Sequence, residues 1–200
     1  MQLIRWLKVY INLTVKRIFD LLLATIALLF LLLPIALVAL AVRLNTVGSV
    51  LYWSDRVGRD NKIFKMPKFR TMQLDTPAVA THLLPEPKQF LTPVGSFLRK
   101  SSLDELPQLW SVLKGDMSLV GPRPALFNQD DLIKQRTEEG VHLLKPGITG
   151  WAQINGRDEL PIPDKVKLDV IYMHKQSLFF DLKIIALTLL KVLCRDGIQH

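Results

Sequence analysis

The segment RKSSLDE, Arg99 to Glu105, sets two carboxylates side by side, Asp104 and Glu105, behind two serines and an arginine. Adjacent carboxylates suit a divalent cation, and Mg2+ is commonly held by one or two carboxylates together with substrate phosphates. A single ionised carboxylate is also a nucleophile. The same residues have a structural reading: Ser102 and Glu105 stand at capping-box spacing, in which the serine caps a helix and the glutamate bonds back to it. In that geometry Asp104 falls in the first helical turn, where the helix dipole favours its ionised form.

Fixed cations surround this pair. Arg99 lies five residues before Asp104, Arg123 stands between Pro122 and Pro124, Arg157 ends the glycine-rich KPGITGWAQINGR, and Lys68 sits in KMPKFRTM. The planar fork of arginine matches phosphate oxygens, and a Pro-Arg-Pro mount reduces the entropy lost on binding. Each cation alone reads as a solvated or salt-bridged surface residue. Grouped around an acidic pair by proline and glycine turns, they suggest phosphoryl transfer. The chain has no G-x-G-x-x-G, no G-x-x-x-x-G-K-[ST] and no H-E-x-x-H, and His82, His142, His174 and His200 lack ligand spacing. A nucleotide-fold dehydrogenase, a P-loop ATPase and a zinc hydrolase are thereby disfavoured.

The elements that must position these groups begin with an apolar run. Leu21 to Val42 is uncharged over 22 residues, roughly 33 Å as helix and long enough for a bilayer. Arg43 follows directly and no small-residue cleavage site ends the run, so a removed signal peptide is not expected. Pro34 lies inside it and predicts a kink or break. Basic residues flank both ends: Arg5, Lys8, Lys16 and Arg17 before, Arg43, Arg56 and Arg59 after. Because positive flanks mark the cytoplasmic side, a helix that enters, breaks at Pro34 and returns to the same face satisfies both features. A single kinked span is the alternative.

Charge also locates the attachment. Of the net charge of +8, residues 1–75 hold 11 Lys/Arg against 4 Asp/Glu, and residues 76–200 hold 15 against 14. A basic excess beside the most apolar stretch points to anionic lipid headgroups. Nucleic acid is not expected as a partner, since stacking motifs and a basic face elsewhere are missing. Cys194 is the sole cysteine, so no intrachain disulfide forms and a reducing compartment fits.

Beyond the apolar run, Val50–Trp53 and Lys62–Phe64 predict a small hairpin or extended arm, and the proline-bearing residues 73–93 a loop. GSFLRKSSLDELPQLWSVLKGD reads as helix from Gly95, ended by Gly115. A polar helix is expected over Asn128 to Glu139, and closing helices over 164–176 and 178–194. The last is apolar over much of its surface and suits either the membrane surface or the core. The expected class is α+β, mostly α: a re-entrant helix-break-helix over 1–48 and a helical, membrane-associated catalytic domain over 49–200, with interfacial amphipathic helices and a small β element.

KIFKMPKFRTM, LRKSSLDELPQLWSVLKGDMSLVGPRP and KPGITGWAQINGR, in this order behind a proline-broken apolar segment, resemble the bacterial sugar transferases known as monotopic polyprenyl-phosphate phosphoglycosyl transferases. The resemblance covers residues 14–195, and the length is that of members consisting of the catalytic domain alone. It implies transfer of a sugar 1-phosphate from a nucleotide diphosphate sugar, usually a UDP-sugar, to polyprenol (undecaprenyl) phosphate at the cytoplasmic face of the bacterial inner membrane, with release of UMP. It implies that Asp104 is the nucleophile and forms a covalent phosphosugar adduct, that Glu105 is its partner, that Arg99, Arg123 and Lys68 serve the phosphates, and that Mg2+ is the cofactor. A non-catalytic membrane scaffold of the same fold is the competing expectation. One position departs from the family: Leu33 stands before Pro34 where members commonly have serine, a hydroxyl able to satisfy a carbonyl freed by the proline.

Overall fold

The computed structural model describes residues 2–77, 86–156 and 160–194. Helix α1 (Gln2–Asn45) is followed by an antiparallel hairpin of β1 (Leu51–Val57) and β2 (Ile63–Phe69), in register from Leu51 opposite Phe69 to Val57 opposite Ile63. Short helices α2 (Gly95–Lys100) and α3 (Gln108–Lys114) come next. A second sheet of two three-residue parallel strands, β3 (Ser118–Val120) and β4 (Gly147–Thr149), brackets α4 (Asp130–Glu138). Helices α5 (Trp151–Ile154), α6 (Ile162–Lys175) and α7 (Leu178–Cys194) close the chain. The mostly helical class is as expected. The parallel pair was not anticipated, because strands of three residues carry too little period-two alternation to be legible.

Pro34 lies inside α1, whose helical assignment runs through it from Gln2 to Asn45. The helix-break-helix over this segment is therefore not seen as an interruption of helix. The most apolar part, Thr14–Asn45, reaches a mean hydropathy of 3.0 over an 18-residue window. One stripe of small and branched residues, Ala24, Ala27, Val38, Ala39 and Val42, packs on the rest of the protein. Ala24 meets Met66, Leu109, Val112 and Met117, while Val38 and Val42 meet Phe69 and Leu98. The other stripe, Leu22, Ile26, Leu29, Phe30, Leu33, Leu37, Leu40 and Leu44, is large, apolar and exposed. Its spacing of three and four makes one continuous helical face, more apolar surface than a protein leaves to water.

The base of α1 is held by polar contacts. Arg17 donates to the carbonyls of Val112 at 2.6 Å and Leu113 at 2.9 Å, so that it caps the last turn of α3 alongside the Gly115 amide, which also reaches Val112 O. Gly115, at φ +101°, ends α3 in the left-handed conformation that glycine adopts most easily. Lys16 donates to Asp181 Oδ2 of α7 at 2.6 Å, and Asp20 Oδ1 accepts from the Leu119 amide at 3.1 Å. Helix α7 packs into the core through the fully buried Asp181 and Ile184, while Phe179, Leu182, Leu189 and Leu190 are exposed.

Candidate active site

The expected single helix from Gly95 to Gly115 is instead two short helices joined by a one-turn 3-10 segment, Leu103–Glu105. Ser102 takes the left-handed conformation, φ 56° and ψ 17°, and its side chain makes no capping bond. The capping box is therefore corrected: the Glu105 side chain does not bond back to Ser102 but accepts from two cations. Lys68 Nζ on β2 and Arg123 Nη2 both reach Glu105 Oε1, at 2.8 and 2.9 Å. One oxygen thus takes both cations.

Asp104 differs from its neighbour. It is 7% exposed, and among the described residues no donor lies within hydrogen-bond reach of its carboxylate. Burial raises its pKa to about 6, with the Glu105 charge adding to the rise; Lys68, Arg99 and Arg123 oppose it. The expectation that a helix dipole favours the ionised form of Asp104 is corrected on this point: the 3-10 turn is too short, and desolvation outweighs the cations around it, so the pKa rises, although the group is still mostly ionised at neutral pH. For Glu105 burial also pushes upward, but Arg123 and Lys68, by charge and hydrogen bonds, hold it below the usual carboxylate range.

Arg99 projects from α2, where its Nε donates to Thr71 Oγ1 at 3.1 Å and Nη2 lies 3.1 Å from Met72 Sδ. Burial lowers its pKa and the charges of Asp104 and Glu105 raise it, which places its guanidinium in the field of the dyad. Arg123 is carried by the Gly121–Pro124 turn. That turn lies so close to β4 that a Cβ on Gly147 would come within 2.1 Å of the Gly121 nitrogen, and one on Gly150 within 2.1 Å of the Gly121 carbonyl oxygen. Only glycine permits this approach.

Of the residues singled out from sequence, Lys68, Arg99, Asp104, Glu105 and Arg123 converge; Arg157 lies outside the described residues, and Pro34 lies within α1. Thr71, Arg56, Arg136 and Asp169 were missed. Only Asp169 carried a signal, an acid on the inward face of α6 between Val166 and Tyr172. Among the described residues no group of three or more His, Cys, Asp or Glu gathers to cage a metal. The dyad nonetheless fits a divalent cation shared with phosphate: the oxygens of Asp104 and Glu105 Oε2 remain available, and Mg2+ needs no more protein ligands than these.

The structure thus joins an apolar helix with an exposed stripe, long enough to cross a membrane, to a carboxylate pair ringed by Lys68, Arg99 and Arg123. The chain belongs to the bacterial sugar transferase family, whose model matches residues 11–195. It is 47% identical over 186 residues to the uncharacterized sugar transferase EpsL of Bacillus subtilis (strain 168), covering 92% of this chain and 90% of that protein. It is 42% identical over 189 residues to the UDP-glucose:undecaprenyl-phosphate glucose-1-phosphate transferase of Escherichia coli (strain K12), covering 90% of this chain and 40% of that one. With the undecaprenyl-phosphate galactose phosphotransferase of Salmonella typhimurium (strain LT2) it shares 40% identity over 166 residues, 75% of this chain and 34% of that protein. The chain thus spans less than half the length of these last two relatives.

Proposed function

We propose that the protein transfers a sugar 1-phosphate from a UDP-sugar to undecaprenyl phosphate at the membrane surface, in two steps through Asp104. The observation that carries this reading is the buried carboxylate of Asp104, without a hydrogen-bond partner among the described residues, beside a Glu105 whose charge is already matched by Lys68 and Arg123. A structural acid would be paired; an attacking one must keep its lone pairs free.

In the first step an Asp104 carboxylate oxygen bonds to the sugar-bearing phosphorus. The bond from that phosphorus to the bridging oxygen breaks, and UMP leaves with the electron pair. In the second, an oxygen of undecaprenyl phosphate bonds to the same phosphorus and the carboxylate of Asp104 is released. Taking the substrates in turn keeps two anionic phosphates from meeting in one site. Arg123, Arg99 and Lys68 stabilise the charge that builds on the transferred group. Mg2+, held by Asp104 and Glu105 with substrate phosphate, would neutralise further charge and help orient the diphosphate.

A re-entrant placement of α1, in which the helix bends at Pro34 without losing its helical assignment and both flanks of the apolar run lie on the cytoplasmic side of the inner membrane, belongs to the same proposal. It is supported by where the two ends of the apolar run within α1 are tied. Lys16 and Arg17 bond to α7 and α3, while Val38 and Val42 pack on β2 and α2. Both ends hold one domain, whereas a full span would part them by about 30 Å of hydrocarbon. With Cys194→Ser as background, single cysteines at Thr14 and Val47 are expected to label from the same side; labelling from opposite sides would reject re-entry.

The reaction is tested by UMP release from a panel of UDP-sugars with undecaprenyl phosphate and Mg2+. At least one donor is expected to be turned over with ping-pong kinetics. No release with any donor would leave the non-catalytic scaffold as the better reading.

A further inference from the structure

We propose that Arg136 and Asp169 are positioning residues for this transfer, fixing the backbone of Arg123 and so aiming its guanidinium at the dyad. The inference rests on the transfer reaction above. Pro122 and Pro124 have no backbone N–H, so the turn that carries Arg123 must be held largely through its carbonyls. Four consecutive carbonyls are taken by three parts of the chain, β4, α4 and β1. Pro122 O accepts from the Gly147 amide at 2.9 Å, Arg123 O from Arg136 Nη1 at 2.7 Å, Pro124 O from Arg56 Nη1 at 3.2 Å, and Ala125 O from the Val57 amide at 2.9 Å.

Among these contacts, the one on Arg123 itself depends on a buried ion pair. Arg136, 7% exposed on α4, directs both Nε and Nη2 at Asp169 Oδ2 of α6, at 2.9 and 2.6 Å. Asp169 is 1% exposed. Its carboxylate fixes the plane of the guanidinium, leaving Nη1 pointed at the Arg123 carbonyl. A buried ion pair is a poor stability device, often replaceable by apolar groups without loss. What this one supplies is direction. A continuous set of contacts then runs from Asp169 through Arg136 to the Arg123 main chain, and from the Arg123 side chain to Glu105 Oε1, the oxygen that also takes Lys68.

The test uses the full chain in lipid nanodiscs and a donor that the wild type turns over. Arg136→Lys keeps the charge but loses the fork. Arg136→Met with Asp169→Leu removes both charges at similar volume, so that a folded variant is available if the single substitution leaves a buried charge unpaired. Both are expected to lower kcat by about ten- to a hundredfold, the cost of misplacing a catalytic group by an ångström, with donor and lipid KM within about twofold. In an Arg123→Gln background, Arg136→Lys is expected to cost less than about twofold in the single-turnover rate, because the group it aims is gone. An equal loss in both backgrounds would make the pair mere packing, and an unchanged kcat in the folded double variant would overturn the proposal outright. Should the wild type turn over no donor, the reaction fails but the clamp is still read by amide hydrogen exchange. Residues 119–127 are expected to exchange faster in Arg136→Lys than in wild type while α7 is unchanged, and identical exchange would refute it.

Discussion

Replacing the proposed nucleophile should make the protein more stable while abolishing its activity. Asp104 has an ordinary pKa of 3.8, and burial raises it to about 6. At about 1.4 kcal/mol per unit, ionising it in the folded state costs on the order of 3 kcal/mol. Because the folded pKa is the higher one, this cost is absent below 3.8, grows between the two values and is complete above about 6. Asp104→Asn keeps the shape and removes the charge. For a chain of this length 1 kcal/mol moves Tm by about 2–4 °C, so the variant should melt roughly 6–12 °C above wild type at neutral pH. Scanning fluorimetry in nanodiscs, without divalent metal, should show the two melting curves converging as the pH falls toward 4. Equal Tm values at pH 7, or a less stable variant, would refute the claim that Asp104 is held buried against its own solvation.

Turnover requires ionised Asp104, so activity should fall as pH drops through about 6. Lys68 lowers the pKa of Asp104 and Glu105 raises it; Lys68→Met should move this acid limb of kcat upward, and Glu105→Gln should move it downward. Movement in the same direction would contradict the electrostatics of the dyad. Gly147→Ala would bring a methyl within 2.1 Å of the Gly121 nitrogen and should destabilise by about 1–3 kcal/mol, seen as a lower Tm together with weaker turnover, since the Arg123 turn is displaced.

Much of the site was legible because its chemistry is local. Asp104 and Glu105 are adjacent, and Arg123 advertises itself by its two prolines. What failed was inference from spacing to partner. Ser102 and Glu105 matched a capping box, yet the partners of Glu105 stand 37 and 18 residues away in the chain, and long-range cations outcompete a local bond when both are brought to one oxygen. Likewise the protonation of Asp104 depends on burial, which no four-residue pattern encodes. Arg136 sits on an unremarkable polar helix, and its role follows only from the Asp169 carboxylate that α6 brings to it. The presence of the hairpin, and the boundaries of α4, α6 and α7 to within about two residues, were readable from hydrophobic period and turn residues, but the hairpin strands run on to Val57 and Phe69, past the expected Trp53 and Phe64. The course of α1 at Pro34 was not, because a proline can be carried inside a helix whose neighbours support it.

The most direct measurement is mass analysis of enzyme mixed with a turned-over UDP-sugar and Mg2+ in the absence of undecaprenyl phosphate. The expected result is a protein heavier by one sugar phosphate, with the adduct mapped to the peptide bearing Asp104, lost on adding the lipid phosphate, and missing from Asp104→Asn. An adduct on another side chain, or rapid turnover on adding lipid with no adduct formed beforehand, would contradict attack by Asp104.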